Sequence, residues 1–266
     1  MTAGTGTPAI EPAGTPAIET AGLTLRYGNF TAVNDVSLRV AAGARHALIG
    51  PNGAGKTSLV HALTGNVPAT SGTIRLGGED LTALPQAARV RRGLTRTFQI
   101  NQLFRGLTVL ENVSLAILER ERKTRNFWRS ATADRAVAEE AREHLAFVNL
   151  DAYAARPVHA LPYGLQRLVE LAIALGTKPR VLVLDEPAAG VPAAQSEAIF
   201  ERIHALPRDL TLLFVEHDMG LVFRFAERIT VLVQGAIMTE GTPAEIQADE
   251  RVREVYLGRR GHHAAA

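Results

Sequence analysis

"ALIGPNGAGKTSLV" (residues 47–60) sets a strand-like apolar run, a glycine-rich turn and a helical run directly end to end. The apolar end of "RHALIG" reads as a buried strand, and "KTSLVHALTG" reads as a helix closed by Gly65. Between them Gly50, Gly55, Lys56 and Thr57 satisfy the spacing G-x-x-x-x-G-K-[ST]. Glycines there let the backbone curl until successive N–H groups point inward, and the following helix adds its positive end, so the turn is built for phosphate oxygens. The loop residues Gly50, Asn52, Gly53, Ala54, Gly55, Lys56, Thr57 and Ser58 are the expected phosphate cradle. Lys56 is expected to reach the β and γ phosphates of a nucleotide, and Thr57 to give its hydroxyl to Mg²⁺.

Upstream of this loop, alternating apolar residues in "AIETAGLTLRYG" and "AVNDVSLRV" predict two or three strands starting at Ile18. Before them lies a near-duplication, "TPAIEPAG" at 7–14 and "TPAIETAG" at 15–22, rich in Pro, Gly, Thr and Ala. Residues 1–16 are therefore expected to be a disordered N-terminal extension. Downstream, "GTIRLGGEDL" reads as a strand and turn. Between Phe98 and Leu161 the strand signal gives way to helical runs, "TVLENVSLAILER" and "TADRAVAEEAREHLAFV", which places a helical insertion at about 100–165. Strand and helix then alternate: "VLVLDEP", a helix near 193–206, "TLLFVEHD", a helix near 219–226, "ITVLVQG" and "AIMTEG". Such alternation argues for a mainly parallel sheet covered by helices. "TPAE" at 242–245 carries a capping box with proline in the first turn and predicts a short C-terminal helix. Residues 259–266 are expected to form a flexible tail.

The 266 residues are 46% hydrophobic and 21% charged, an ordinary globular balance. Cysteine is absent, which excludes disulfides and thiolate metal sites and fits a reducing compartment. Apolar runs such as Val181 to Leu184 and Ile229 to Val233 are strand-sized, short of the ~20 residues of a membrane span. The start has neither a basic nor an apolar signal region, so no secretory leader is expected. A formal charge of +2 offers little to a nucleic-acid partner, and none is expected.

"VLVLDEP" at 181–187 ends an apolar strand in two carboxylates. Asp185 is placed to hold the Mg²⁺ shell, and Glu186 to orient or deprotonate an attacking water. Phosphate-loop folds serve kinases, GTPases, helicases and transport ATPases, so the loop alone leaves the class open. "ALPYGLQRLVE" at 160–170 narrows it. A helix opened by Gly164 presents unpaired N–H groups and a positive dipole end, which is a second phosphate-binding surface. One chain has no use for two such surfaces around one γ-phosphate; two chains facing head to tail use each.

From Ile18 to Gly258 the sequence resembles the ATP-binding subunits of ABC transporters. "LPYGLQ" resembles their signature motif LSGGQ, with Gly164 at the glycine that faces the γ-phosphate and Gln166 beside it, both acting in a partner's site. The resemblance implies that Tyr27 in "LRYGNFTAV" stacks on adenine with Val33 nearby. It implies further that Gln99 in "RTFQINQLF" joins the helical subdomain and serves the metal and water, and that His217 in "FVEHD" senses the γ-phosphate. The implied fold is an α/β P-loop NTPase core with a mainly parallel sheet, an N-terminal antiparallel β subdomain and the inserted helical subdomain, as one ATPase domain over 17–258. The linker phrases "RTFQINQLFRGLTVLENV" and "DEPAAGV" and the ending "GTPAEIQADERVREVYLG" look most like the ATPases of branched-chain amino acid uptake systems. That likeness implies ATP and Mg²⁺ as cofactors and peripheral attachment to the cytoplasmic face of the inner membrane. It also implies a second, non-identical ATPase subunit, two membrane permease subunits and, indirectly, a solute-binding protein.

Two positions depart from the family pattern. Pro162 replaces the signature serine, removing a hydroxyl, and Pro192 replaces the Asp or Asn that crosses the dimer interface. These prolines keep open a regulatory, nucleotide-binding partner of low turnover; a non-transport ABC ATPase is the other alternative. The segment "RERKTRNFWRS" at 120–130 reads either as a solvated helix end with tucked aromatics or as a contact with headgroups or a membrane subunit.

Overall fold

The computed structural model describes residues 14–97, 103–123, 132 and 134–257. Gln99, most of the basic segment 120–130, residues 1–13 and the tail 259–266 lie outside the described residues. The chain runs β1 (Ile18–Tyr27), β2 (Phe30–Val36), β3 (Arg39–Val40), β4 (Arg45–Ile49), α1 (Lys56–Thr64), β5 (Ser71–Leu76), β6 (Glu79–Asp80), α2 (Gln86–Arg91) and β7 (Leu94–Arg96). Three helices follow, α3 (Val109–Arg120), α4 (Arg135–Phe147) and α5 (Tyr163–Gly176). The remainder is β8 (Val181–Asp185), α6 (Ala193–His204), β9 (Thr211–Val215), α7 (Met219–Phe225), β10 (Arg228–Val233), β11 (Ala236–Gly241), α8 (Pro243–Ala248) and α9 (Glu250–Leu257).

The strands make two sheets, as the sequence predicts. One has the order β11-β10-β4-β9-β8-β7, parallel from β10 to β7 with β11 antiparallel at its edge. The other is antiparallel, β2-β1-β5-β6 with β3 also on β1. Strands buried on both faces explain the unbroken apolar runs. On β4, β8 and β9 the period of two divides the side chains cleanly: Ala47, Ile49, Leu182, Leu184, Leu212 and Phe214 join one core, and Leu48, Val181, Val183, Leu213 and Val215 join the other. The first core lies under the helices; the second lies between the two sheets and includes Val33, Leu59 and Leu63.

The helical layer grows from local signals. Thr108 and Glu111 form a capping box that starts α3, and the Asp134 side chain accepts from the Ala136 and Val137 amides to start α4. Val113 and Ile117 of α3, Val137, Ala141 and Leu145 of α4, and Val169 and Ala172 of α5 then share the first core. Thus α5 itself completes the helical layer and carries it to Gly176. The capping box at Thr242 and Glu245 starts α8, with Pro243 in the first turn.

Elements absent from the sequence reading are β7, α2 and α9. Buried arginines account for part of this. Arg89 of α2 is 1% exposed and donates to the Ala62 and Leu63 carbonyls, capping the end of α1. Arg45 donates likewise to the Leu206 and Pro207 carbonyls in the loop after α6, and also to that of Leu210. Both prolines that depart from the family pattern are N-cap residues with extended backbone, Pro162 at φ −54°, ψ 148° and Pro192 at φ −57°, ψ 145°. Pro162 thus precedes the first turn of its helix. An N-cap needs extended φ/ψ and no intrahelical N–H donation, so proline fits there without breaking either helix.

Candidate nucleotide-binding site

Adjacent registers bring the chemistry to one edge. Leu48 and Asp185 both pair with Val215, so the loop after β4, the carboxylates after β8 and the histidine after β9 leave neighbouring strand ends together. Crevices at strand carboxyl ends are where open parallel sheets bind ligands. Here the crevice has a volume of about 370 Å³ and is lined by Asn52–Ser58, Phe30, Ala32, Glu186 and His217.

The loop conformation is available only to glycine at two points. A Cβ on Gly50 would sit 2.1 Å from the Leu232 carbonyl oxygen, and one on Gly55, at φ 97°, 2.3 Å from that of Ala32. Gly55 is the N-cap of α1 and offers no side chain to its first-turn amides, which leaves them for an anion. Thr57 is exposed and Ser58 half-buried on that turn. The Lys56 ammonium is buried and donates to the Gly50 and Pro51 carbonyls at 2.7 and 3.1 Å. Burial lowers its pKa, against the pull of Glu186 and Asp185.

Glu186 follows β8 in the left-handed region at φ 50°, its amide bonded to the Val215 carbonyl at 3.0 Å. Its carboxylate Oε1 accepts from His217 Nε2 at 2.6 Å, and both side chains are partly exposed to the crevice. Behind them stands Glu216, 5% exposed, which sequence reasoning missed. Its two oxygens accept from the Ala188 amide at 3.1 Å and the His217 amide at 3.2 Å, so it ties the loop carrying His217 to the loop after Glu186. Burial pushes its carboxyl up. An acidic residue beside a histidine gives no sequence signal of this tie.

Asp185 is engaged by a second unpredicted residue, Arg96, whose Nη2 donates to Oδ2. Among the described residues no cluster of three His, Asp or Glu could enclose a metal. Mg²⁺ commonly uses one or two protein oxygens together with substrate phosphates, and the Thr57 hydroxyl with the anionic Asp185 is a donor set of that kind.

Other predicted residues fall differently. Tyr27 is 46% exposed and pairs across the β1–β2 hairpin with Phe30, which is 65% exposed and lines the crevice where Tyr27 does not. Val33 is fully buried in the core between the sheets, so its side chain has no face toward a nucleotide. None of Leu161–Gln166 lines the crevice. The Gln166 amide nitrogen donates to its own turn at Leu161 O, 2.8 Å away, instead of pointing outward. Gly164 faces α6: a Cβ there would sit 2.8 Å from the Gln195 side-chain oxygen. The Tyr163 ring lies on Gly190, so the tip of α5 and the loop after Glu186 form one surface.

The ABC transporter family model matches residues 33–189, and a second, for the branched-chain amino acid ATP-binding cassette transporter, matches residues 236–262. Similar proteins include the high-affinity branched-chain amino acid transport ATP-binding proteins BraF of Pseudomonas aeruginosa, 40% identical over 89% of this chain and 96% of that one, and LivG of Escherichia coli, 39% identical with the same coverage. A solved nucleotide-free ATP-binding cassette from an ABC transporter superposes with a TM-score of 0.81 at 29% identity, covering 91% of this chain and 98% of that one. A solved ADP conformation of an ATP-binding cassette of an ABC transporter gives 0.82 at 30% identity, covering 91% and 99%. A family match over more than half the chain, with relatives this similar along nearly its whole length, means that the chain belongs to the ABC transporter family as one of its ATP-binding proteins.

Proposed function

We propose that this chain is the ATP-hydrolysing subunit of an importer of branched-chain amino acids or related small polar solutes, working at the cytoplasmic face of the inner membrane. The observation that carries hydrolysis is the Glu186–His217 pair, 2.6 Å apart on the lip of the phosphate-loop crevice. The solute class rests on the relatives' names and on the C-terminal family match.

The loop amides of Asn52–Ser58 bind the phosphates, and Lys56 exchanges the Gly50 and Pro51 carbonyls for phosphate oxygens. Thr57 and Asp185, with Gln99, hold Mg²⁺, which when bound neutralises phosphate charge. Glu186 takes a proton from the attacking water while the His217 N–H keeps its carboxylate aimed. An aromatic of the β1–β2 hairpin, Tyr27 or Phe30, stacks on the base. The tip of α5, with Gly164 at its first turn, closes the crevice of a second, non-identical ATPase subunit, and that subunit returns the same service.

The membrane subunits dock on the helical layer. A cleft of about 270 Å³ lined by Leu103, Phe104, Leu115, Ala116 and Ile173 adjoins a larger one with Arg91, Arg122 and Lys178 on its rim. Phe104 is 60% exposed there, an apolar anchor awaiting a partner. ATP closure of the paired ATPases and reopening on hydrolysis move this layer and the permeases with it; a solute-binding protein acts from the other side. Phosphate release by the purified protein, alone and with its partner subunits, against Glu186→Gln is the test. A loss of about 100-fold or more with nucleotide binding retained is expected. Equal rates for the two proteins would make the chain a regulatory partner.

A further inference from the structure

We propose that Arg96 is a built-in counter-ion of Asp185 that competes with the divalent cation for its carboxylate, and thereby sets how tightly the site holds metal. Arg96 ends β7 and Asp185 ends β8, the neighbouring parallel strand, where Arg96 pairs with Val183. That register carries the guanidinium across to Asp185 Oδ2. Both side chains are about nine-tenths buried, at 10% and 11% exposure. The pair therefore lacks the solvent screening that makes surface ion pairs worth little. Its field extends further: the His61 imidazole, in the last turn of α1, is depressed first by burial and next by Arg96.

Around the crevice Lys56 and Arg96 face Asp185 and Glu186, so the carboxylate charge is already matched by fixed cations. A divalent cation entering this balanced set meets repulsion from Arg96 and competes with its guanidinium for Oδ2 of the carboxylate. Arg96 acts on the metal through Asp185, as a positioning residue. Nothing in its sequence context, "GLTRTF", marks it.

The inference rests on the reading that Thr57 and Asp185 serve Mg²⁺, and the experiment separates the two. The full-length protein is saturated with ADP and titrated with Mn²⁺, free ion being followed by electron paramagnetic resonance, for wild type, Arg96→Met, Arg96→Lys and Asp185→Asn. Arg96→Met is expected to bind Mn²⁺ about three- to tenfold tighter, the order of effect for removing one partly buried like charge. Arg96→Lys keeps the charge and should stay near wild type, and Asp185→Asn should bind weakly. ADP affinity in EDTA serves as the check on folding; if Arg96→Met fails it, Arg96→Gln carries the same expectation. Unchanged or weaker Mn²⁺ binding in the neutral Arg96 variants, with Asp185→Asn impaired, overturns the counter-ion and leaves the metal reading standing. Wild-type Mn²⁺ binding by Asp185→Asn overturns both.

Discussion

Glu216 holds two backbone amides with one carboxylate, and Glu216→Gln can satisfy only one of them with an oxygen. The variant should keep its nucleotide affinity and lose about tenfold in turnover, because the Glu186–His217 pair loses its support; comparing KM with kcat measures it. Glu170 allows a prediction for pH. It is 4% exposed, its Oε1 has no hydrogen-bond partner, and burial raises its carboxyl to about 7 against the partial compensation of Arg167. A raised carboxyl binds its proton more tightly in the folded chain. Its stabilising effect is therefore complete below the unfolded value of 4.5 and is lost as pH rises through about 7. Wild type should lose roughly 3 kcal/mol more than Glu170→Gln between pH 4.5 and pH 8, read from denaturant midpoints at the two pH values. The sequence pointed to Lys56 by its place in a loop of fixed spacing, to Asp185 and Glu186 as carboxylates ending an apolar strand, and to His217 only through the family resemblance; the structure brings Lys56, Glu186 and His217 to one crevice. Arg96 and Glu216 were not legible, since each acts through a contact between segments far apart in sequence, and Phe30 was not, since only the folded β1–β2 hairpin sets it on the crevice.

Among the elements, the longer strands and the helices α6, α7 and α8 were readable from periodicity and caps, whereas α9 was not, and α2 and β7 were hidden in "LPQAARVRRGLTR", whose charges read as surface. Arg89 turns inward there to cap α1, an arrangement that only the packed neighbour reveals. The prolines at 162 and 192 depart from the family pattern in the sequence and are N-cap residues in the fold. Pro162→Ser should therefore change the stability by no more than about 1 kcal/mol, with any effect falling on turnover in the paired complex; a melt and a rate measurement distinguish the two. The loop tolerates no such exchange. Gly55→Ala would force a Cβ against the Ala32 carbonyl at a left-handed φ, and nucleotide binding should fall below detection in a fluorescent-nucleotide titration.

For the molecule as a whole, the phosphate loop and the tip of α5 are separate surfaces, and no residue of Leu161–Gln166 enters the chain's own crevice. The sequence reading named two such surfaces, and the proposed pairing with a second chain gives each of them a nucleotide. Tyr163 resting on Gly190 joins the α5 tip to the loop after Glu186, so under the proposed sandwich, closure on a partner's nucleotide would be felt at this chain's own carboxylate. In the proposed cycle the same closure would move the helical layer, on which Phe104 is exposed. A structure of Glu186→Gln with ATP and its partner ATPase subunit tests the sandwich. The backbone amide of Gly164 should lie within hydrogen-bonding distance of the γ-phosphate held by the partner's loop. Residues 161–166 lying remote from every γ-phosphoryl group would dismantle it.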